Sequence, residues 1–369
     1  MSGQVVKVLP MLLASVGLFA GTGPAHKKHD KKAGDCASLC HPNPKLECDT
    51  PWDVNASATY LQVRVQGGDI GVLTNDRTII AYPVAATGIQ PADSFAWGFQ
   101  VGAGYSFHND NWKVSANYQN YKCITDTSLE LSYGQAFAPS LYVNQKVNNP
   151  TNTLLFNNLQ SGINMSYNNV EVLLDRATMI TPNLEITTLF GVNVQLMQRR
   201  QLSVFTNALT DTATSGYGSN IGGYFQNYQK YTWWGVGPEI GMHTNWAIGN
   251  NVSFFGDAYG SITYGYSNTR NATFSKVVAF MTGTTPMFLP TEAAVQNGLY
   301  QYSPSVKYLL GFSWFKTMEN DSRVTLKMAY QSEYLFYLIK SIVPRADFAT
   351  SNGSGFGIQG IVFNAALDF

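Results

Sequence analysis

Hydrophobic and polar positions alternate along most of this chain. The clearest stretch is Phe95 to Phe107, with Trp97, Phe99, Val101, Ala103, Tyr105 and Phe107 on one parity and Ala96, Gly98, Gln100, Gly102, Gly104 and Ser106 on the other. Side chains of a strand point alternately to its two faces, so one face here is greasy and the other small or polar. The pattern recurs in Asn55–Val65, Trp112–Tyr121, Leu184–Leu196, Tyr231–Trp246, Val252–Tyr266, Ser305–Met318 and Ser322–Tyr334. In the first of these, Leu61, Val63 and Val65 read as the apolar side, against Tyr60, Gln62 and Arg64. In Gly162–Met179 the apolar parity changes between Tyr167 and Val170, which predicts a bulge near Asn168-Asn169. Pro238 falls on an apolar face and predicts a bulge or a break in the ladder. Glu292–Gly298 is expected to form a short helix. Gly355–Phe369 reads as a closing strand, with Ile361, Phe363, Ala365, Leu367 and Phe369 on one side.

The connections carry as much information as the strands. Ten strands are predicted, or twelve if a long loop hides a hairpin, and the links between them alternate long and short. The short ones fall near residues 109, 182, 250 and 320, which puts both chain ends on the short-turn side. Membrane barrels sort their connections in this way, whereas a soluble sandwich has no reason to. Each strand reaches the roughly 9 to 11 residues that a tilted crossing needs. Trp112, Trp246 and Trp314 lie near short turns, while Trp97, Trp233 and Trp234 lie at the far ends. With Phe369 they predict two interfacial belts. The expected fold is therefore all-β: a transmembrane antiparallel up-and-down barrel over residues 52–369, with long outer loops and short periplasmic turns.

Composition fits this picture. Of 369 residues only 12% are charged, the net charge is zero, and glycine, tyrosine and phenylalanine are abundant. No basic excess points to nucleic acid. Residues 1–25 read as a secretory signal: Lys7, an apolar run from Val8 to Gly21, then small residues that favour cleavage after Ala25, with Ala20 second. Residues 26–51 read as a periplasmic extension holding Cys36, Cys40 and Cys48, with Cys123 far away. Export exposes thiols to an oxidising compartment, so disulfides come first, free thiols next, and a metal site last because the spacing matches no zinc pattern. No metal or cofactor is expected.

F-A-W-G-F-Q-V-G-A-G-Y-S-F-H-N-D-N-W (residues 95–112) and W-G-V-G-P-E-I-G (234–241), the latter followed by N-W-A-I-G-N-N-V-S-F-F-G-D-A-Y-G-S-I-T-Y-G, resemble the Legionella-type major outer-membrane protein family, pore-forming barrels also found in chlamydia-like bacteria. The resemblance covers most of residues 95–369. It implies an integral outer-membrane porin or porin-like surface antigen whose cysteines cross-link it in the envelope, to other envelope proteins or to copies of itself. The surroundings expected are outer-membrane lipid and lipopolysaccharide, with the barrel-assembly machinery engaged through the C-terminal strand.

If the apolar faces meet lipid, the polar faces line a lumen. The residues expected there are Arg64, Lys113, Lys307, Arg323 and Lys327 on one wall and Glu171, Asp175, Glu185, Glu239 and Asp257 on the other. Such walls suit passive diffusion of small hydrophilic solutes or ions. A non-conducting adhesin or disulfide-linked structural protein is the alternative. Enzymatic activity is not expected: His26, His29 and His41 lie in the extension, and His108 and His243 near short turns, which leaves the outer rim without the histidine that barrel hydrolases use.

Overall fold

The computed structural model describes residues 51–65, 70–74, 86–90, 94–107, 112–130, 135–139, 156–209, 220–249, 251–280, 287–318, 322–344 and 349–369. The signal segment, Cys36, Cys40, Cys48 and the His108-Asn109-Asp110 turn lie outside these residues. The strands are β1 (Trp52–Val65), β2 (Gly71–Thr74), β3 (Ala86–Ile89), β4 (Phe95–Ser106), β5 (Trp112–Glu130), β6 (Ala136–Pro139), β7 (Phe156–Thr181), β8 (Leu184–Leu209), β9 (Asn220–Ala247), β10 (Val252–Phe280), β11 (Met287–Thr317), β12 (Arg323–Pro344) and β13 (Ala349–Asp368).

Ten of these strands close a ring in the order β1-β4-β5-β7-β8-β9-β10-β11-β12-β13, with β13 returning to β1. Each neighbouring pair in the ring is antiparallel, so this is the up-and-down barrel that the alternation predicts. The seam is tight: Trp52 and Phe369 exchange backbone hydrogen bonds of 3.2 and 2.9 Å. The short strands β2, β3 and β6 make a small sheet joined to β7 by the Phe137–Phe156 bridge. Ile70 and Phe137 of this sheet region pack on Phe156, Leu159, Phe205 and Phe225 of the tall wall β7–β9.

Polarity is inverted relative to a soluble fold. Phe99, Val101, Ile240, Leu310, Phe312, Met328 and Phe363 are exposed on the outside. An apolar surface this continuous needs lipid rather than water. Trp52, Trp112, Trp246, Trp314 and Phe369 stand near the short-turn end of the outer face, and Tyr60, Trp97, Trp234 and Tyr300 at its other edge. On β9 the interval from Trp234 to Trp246 is about 12 residues, which at ~3.3 Å per residue and a ~40° tilt spans about 30 Å, a hydrocarbon thickness.

Several local expectations are corrected. The parity of β1 is reversed: Leu61, Val63 and Val65 point inward and Arg64 is exposed outside. There is no bulge at Asn168-Asn169, because both β7 ladders run through it in register. Ile163, Met165 and Tyr167 stay in phase with Glu171 and face inward, where Met165 and Tyr167 join a buried apolar cluster. Trp233 is buried inside that cluster rather than at the membrane interface, whereas its neighbour Trp234 faces out. Glu292–Gly298 is strand, paired with Asn268–Phe274 of β10. Pro238 does break a ladder: β9 and β10 lose register partners between Val236 and Glu239, while β8 still pairs with it. The strands also run well beyond their predicted ends. Past the outer belt the outward face turns polar, so the apolar period fades while the backbone ladder continues, as far as Lys276 opposite Tyr224.

Candidate functional site in the barrel lumen

The inward parity collects the ionisable residues. At the short-turn end of the interior lies a cavity of 370 Å³, with Lys113, Glu171, Asp175, Glu185, Asp257, Lys307, Arg323 and Lys327 among its walls. Glu239 is also inward and buried. Arg64 alone of the expected lumen set lies on the opposite face. The acidic members sit on the adjacent strands β7 to β10, and the basic ones on β11, β12 and β5.

The two signs do not remain apart. Lys307 Nζ reaches Glu171 Oε1 at 2.7 Å, although β11 and β7 are four strands apart around the ring. Beside it, Tyr167 donates to Glu333 Oε1 at 2.7 Å; β7 and β12 are five strands apart, so this bond joins opposite walls. Glu333 is the register partner of Lys307, so one ammonium serves a group of carboxylates. All four of these side chains, and Glu239, are buried. Charges this dehydrated persist only when paired and hydrogen-bonded. Together they form a polar septum across the barrel.

On the far side of the septum lies a buried apolar cluster: Leu61, Tyr121, Cys123, Met165, Tyr167, Met197, Tyr231, Trp233, Leu335, Leu338, Phe356 and Ile358. Two of its phenols are anchored on backbone carbonyls, Tyr121 on Leu61 at 2.8 Å and Tyr231 on Leu338. Beyond the septum is a second cavity of 640 Å³ with Met165, Ile358, Arg199 and Glu333 in its wall. Cys123, expected among the disulfide candidates, is a free, buried thiol with Sγ 3.6 Å from Ser94 Oγ.

At the short-turn mouth, Lys113 pairs with Asp53 at 2.7 Å and His243 pairs with Asp257. Lys327 stands over the Phe255 ring at 5.2 Å, and Arg323 over Phe315 at 4.0 Å. Asp53, Glu333 and Tyr167 are functional positions that sequence reasoning missed. Glu333 was within reach, since it shares the parity of Arg323 and Lys327. Tyr167 was not, because an apolar run read as lipid-facing concealed it.

Residues 44–369 match the family described as Legionella pneumophila major outer membrane protein precursor. No curated protein matches the chain. Among solved structures, the chain is similar to the outer membrane protease OmpT of Escherichia coli (11% identity, TM-score 0.37, covering 86% of this chain and 96% of that one). It is also similar to a major outer membrane protein of Thermus thermophilus (10% identity, TM-score 0.29, 86% and 98%). A third likeness is to a FadL homologue of Pseudomonas aeruginosa (9% identity, TM-score 0.26, 90% and 93%).

Proposed function

This chain belongs to the Legionella pneumophila major outer membrane protein family and is an integral β-barrel of the outer membrane, and from that premise we propose that it is a porin, giving small hydrophilic solutes or ions a narrow passive path. The observation that carries this reading is the ionisable lining of the 370 Å³ cavity inside a wall whose outer face is apolar. A soluble core would place these groups the other way round. Acidic strands facing basic ones set a transverse field, which favours dipolar and charged solutes over apolar ones. Ten strands leave little more room than the side chains occupy, so the septum and the apolar cluster beyond it constrict the path. Passage requires Lys307–Glu171 and Tyr167–Glu333 to part and the apolar cluster beyond them to shift, which implies small conductance steps.

Conductance of the refolded protein in planar bilayers tests this. Small discrete steps are expected, larger in Glu171→Gln/Lys307→Gln; silence from both proteins would reject the porin. The same septum favours a second reading, a non-conducting surface or structural protein of the envelope, and that silence is what it expects.

A further inference from the structure

Above the outer belt, the outside of the tall wall turns basic. Leu196, Trp234, Tyr266 and Tyr300 are cross-strand neighbours in one outward row of that belt. Two outward rows further from the short turns, Arg200 stands opposite Lys230, and Lys230 opposite Arg270. All three side chains face outward, since residues 199, 201, 231, 269 and 271 on either side of them are buried inside. Lys122 of β5 is exposed on the same surface, in the row of Ser166 and Gln198. The nearest outward positions on β7 to β11, Asn164, Gln198, Thr232, Asn268 and Gln296, carry no charge, and among the described residues the one carboxylate flanking the row is Asp126 of β5, exposed one row further out over Gly162. The ion pairs Lys113–Asp53, His243–Asp257 and Lys307–Glu171 use none of these four cations.

Like charges directly opposite one another on neighbouring strands repel, so a row of three is a cost unless an anion lies across it. The depth of the row says which anion. Four residues beyond the belt, at ~3.3 Å per residue on a tilted strand, is about 10 Å further from the bilayer centre, the level of headgroups rather than acyl chains. The short turns and the β1–β13 ends mark the periplasmic side, so this is the outer leaflet. We propose that Arg200, Lys230 and Arg270, with Lys122, bind the phosphorylated sugar headgroup of lipopolysaccharide. Guanidinium forks suit phosphate oxygens, and the central lysine supplies a compact charge between them. The site rests on the location of the barrel and is independent of whether it conducts.

The test uses the full chain refolded in detergent, with bisphosphorylated lipopolysaccharide, its dephosphorylated form, or inorganic phosphate as probe. Retention is read by native mass spectrometry and protection by thermal unfolding. Wild type should retain the phosphorylated lipid, melt several degrees higher with it, and lose it as salt rises. Arg200→Gln/Lys230→Gln/Arg270→Gln, checked for folding by heat-modifiable migration, should bind it about tenfold more weakly or worse, and no better than the dephosphorylated form. Arg200→Lys/Arg270→Lys keeps the charges but not the forks and should bind between wild type and the neutral variant. Equal retention by wild type and the neutral variant overturns the proposal. So does a charge-keeping variant that loses as much as the neutral one, or equal protection by inorganic phosphate at matched phosphate concentration. If the neutral variant does not fold, Lys230→Gln alone and the salt dependence of wild type decide: retention unchanged in both overturns the site.

Discussion

Lys307 is the residue on which the septum turns. It is bonded to Glu171, it is paired in register with Glu333, and its ammonium lies 5.0 Å from the centre of the Tyr259 ring. Lys307→Met leaves buried carboxylates without their counter-charge and should cost about 3 to 5 kcal/mol in urea unfolding of the refolded barrel. Removing the facing carboxylates as well, Lys307→Met/Glu171→Gln/Glu333→Gln, should cost clearly less, because most of the penalty belongs to the stranded charges rather than to the lost bond. A second residue-scale prediction concerns Cys123, which is 5% exposed inside the apolar cluster. With Cys36, Cys40 and Cys48 changed to Ser, a maleimide should leave Cys123 unmodified in the folded barrel and label it after boiling in SDS; labelling of the folded form would contradict its placement.

At the scale of the strand, the outer face is a lipid surface. Val101 lies midway along β4 between Trp97 and Tyr105, both exposed. Val101→Arg should destabilise the barrel by about 2 to 4 kcal/mol, read as a lower unfolding midpoint in lipid, whereas the same change near a belt would cost far less. Strand β4 was legible because its large apolar residues all face lipid, while its small and polar residues face the lumen. Strands β1 and β7 were not. Leu61, Val63, Met165 and Tyr167 are as greasy as any lipid-facing set, yet they fill the lumen. Periodicity reports only that two faces differ, and an apolar side chain looks the same whether its neighbours are acyl chains or other side chains. The lumen candidates were readable wherever charge and parity agreed, as at Lys113, Glu185 and Lys327. Arg64 failed because its charge was trusted over the phase set by Asn55, Ser57 and Thr59.

At the scale of the molecule, the described interior holds cavities of 370 and 640 Å³, with the septum residues Lys307 and Glu171 in the wall of one and Glu333 in the wall of the other. Weakening the septum should therefore change transport more than widening either cavity. Substituting Ala at Lys327, a vestibule residue, should shift ion preference toward cations with little change in step size; reversal potentials across a salt gradient would show it. The seam has a different consequence. Gln62 bonds to Gln359 across 297 residues, and β1 pairs with β13 from Asp53 to Val65. Contacts that distant in sequence form late, because the loop they close is costly to order and nothing rewards it beforehand. Until β13 arrives, β1 and β12 each present a bare edge able to recruit foreign strands. The barrel stays unsealed until β13 docks, and any escort that carries it to the membrane would have two unprotected edges to shield.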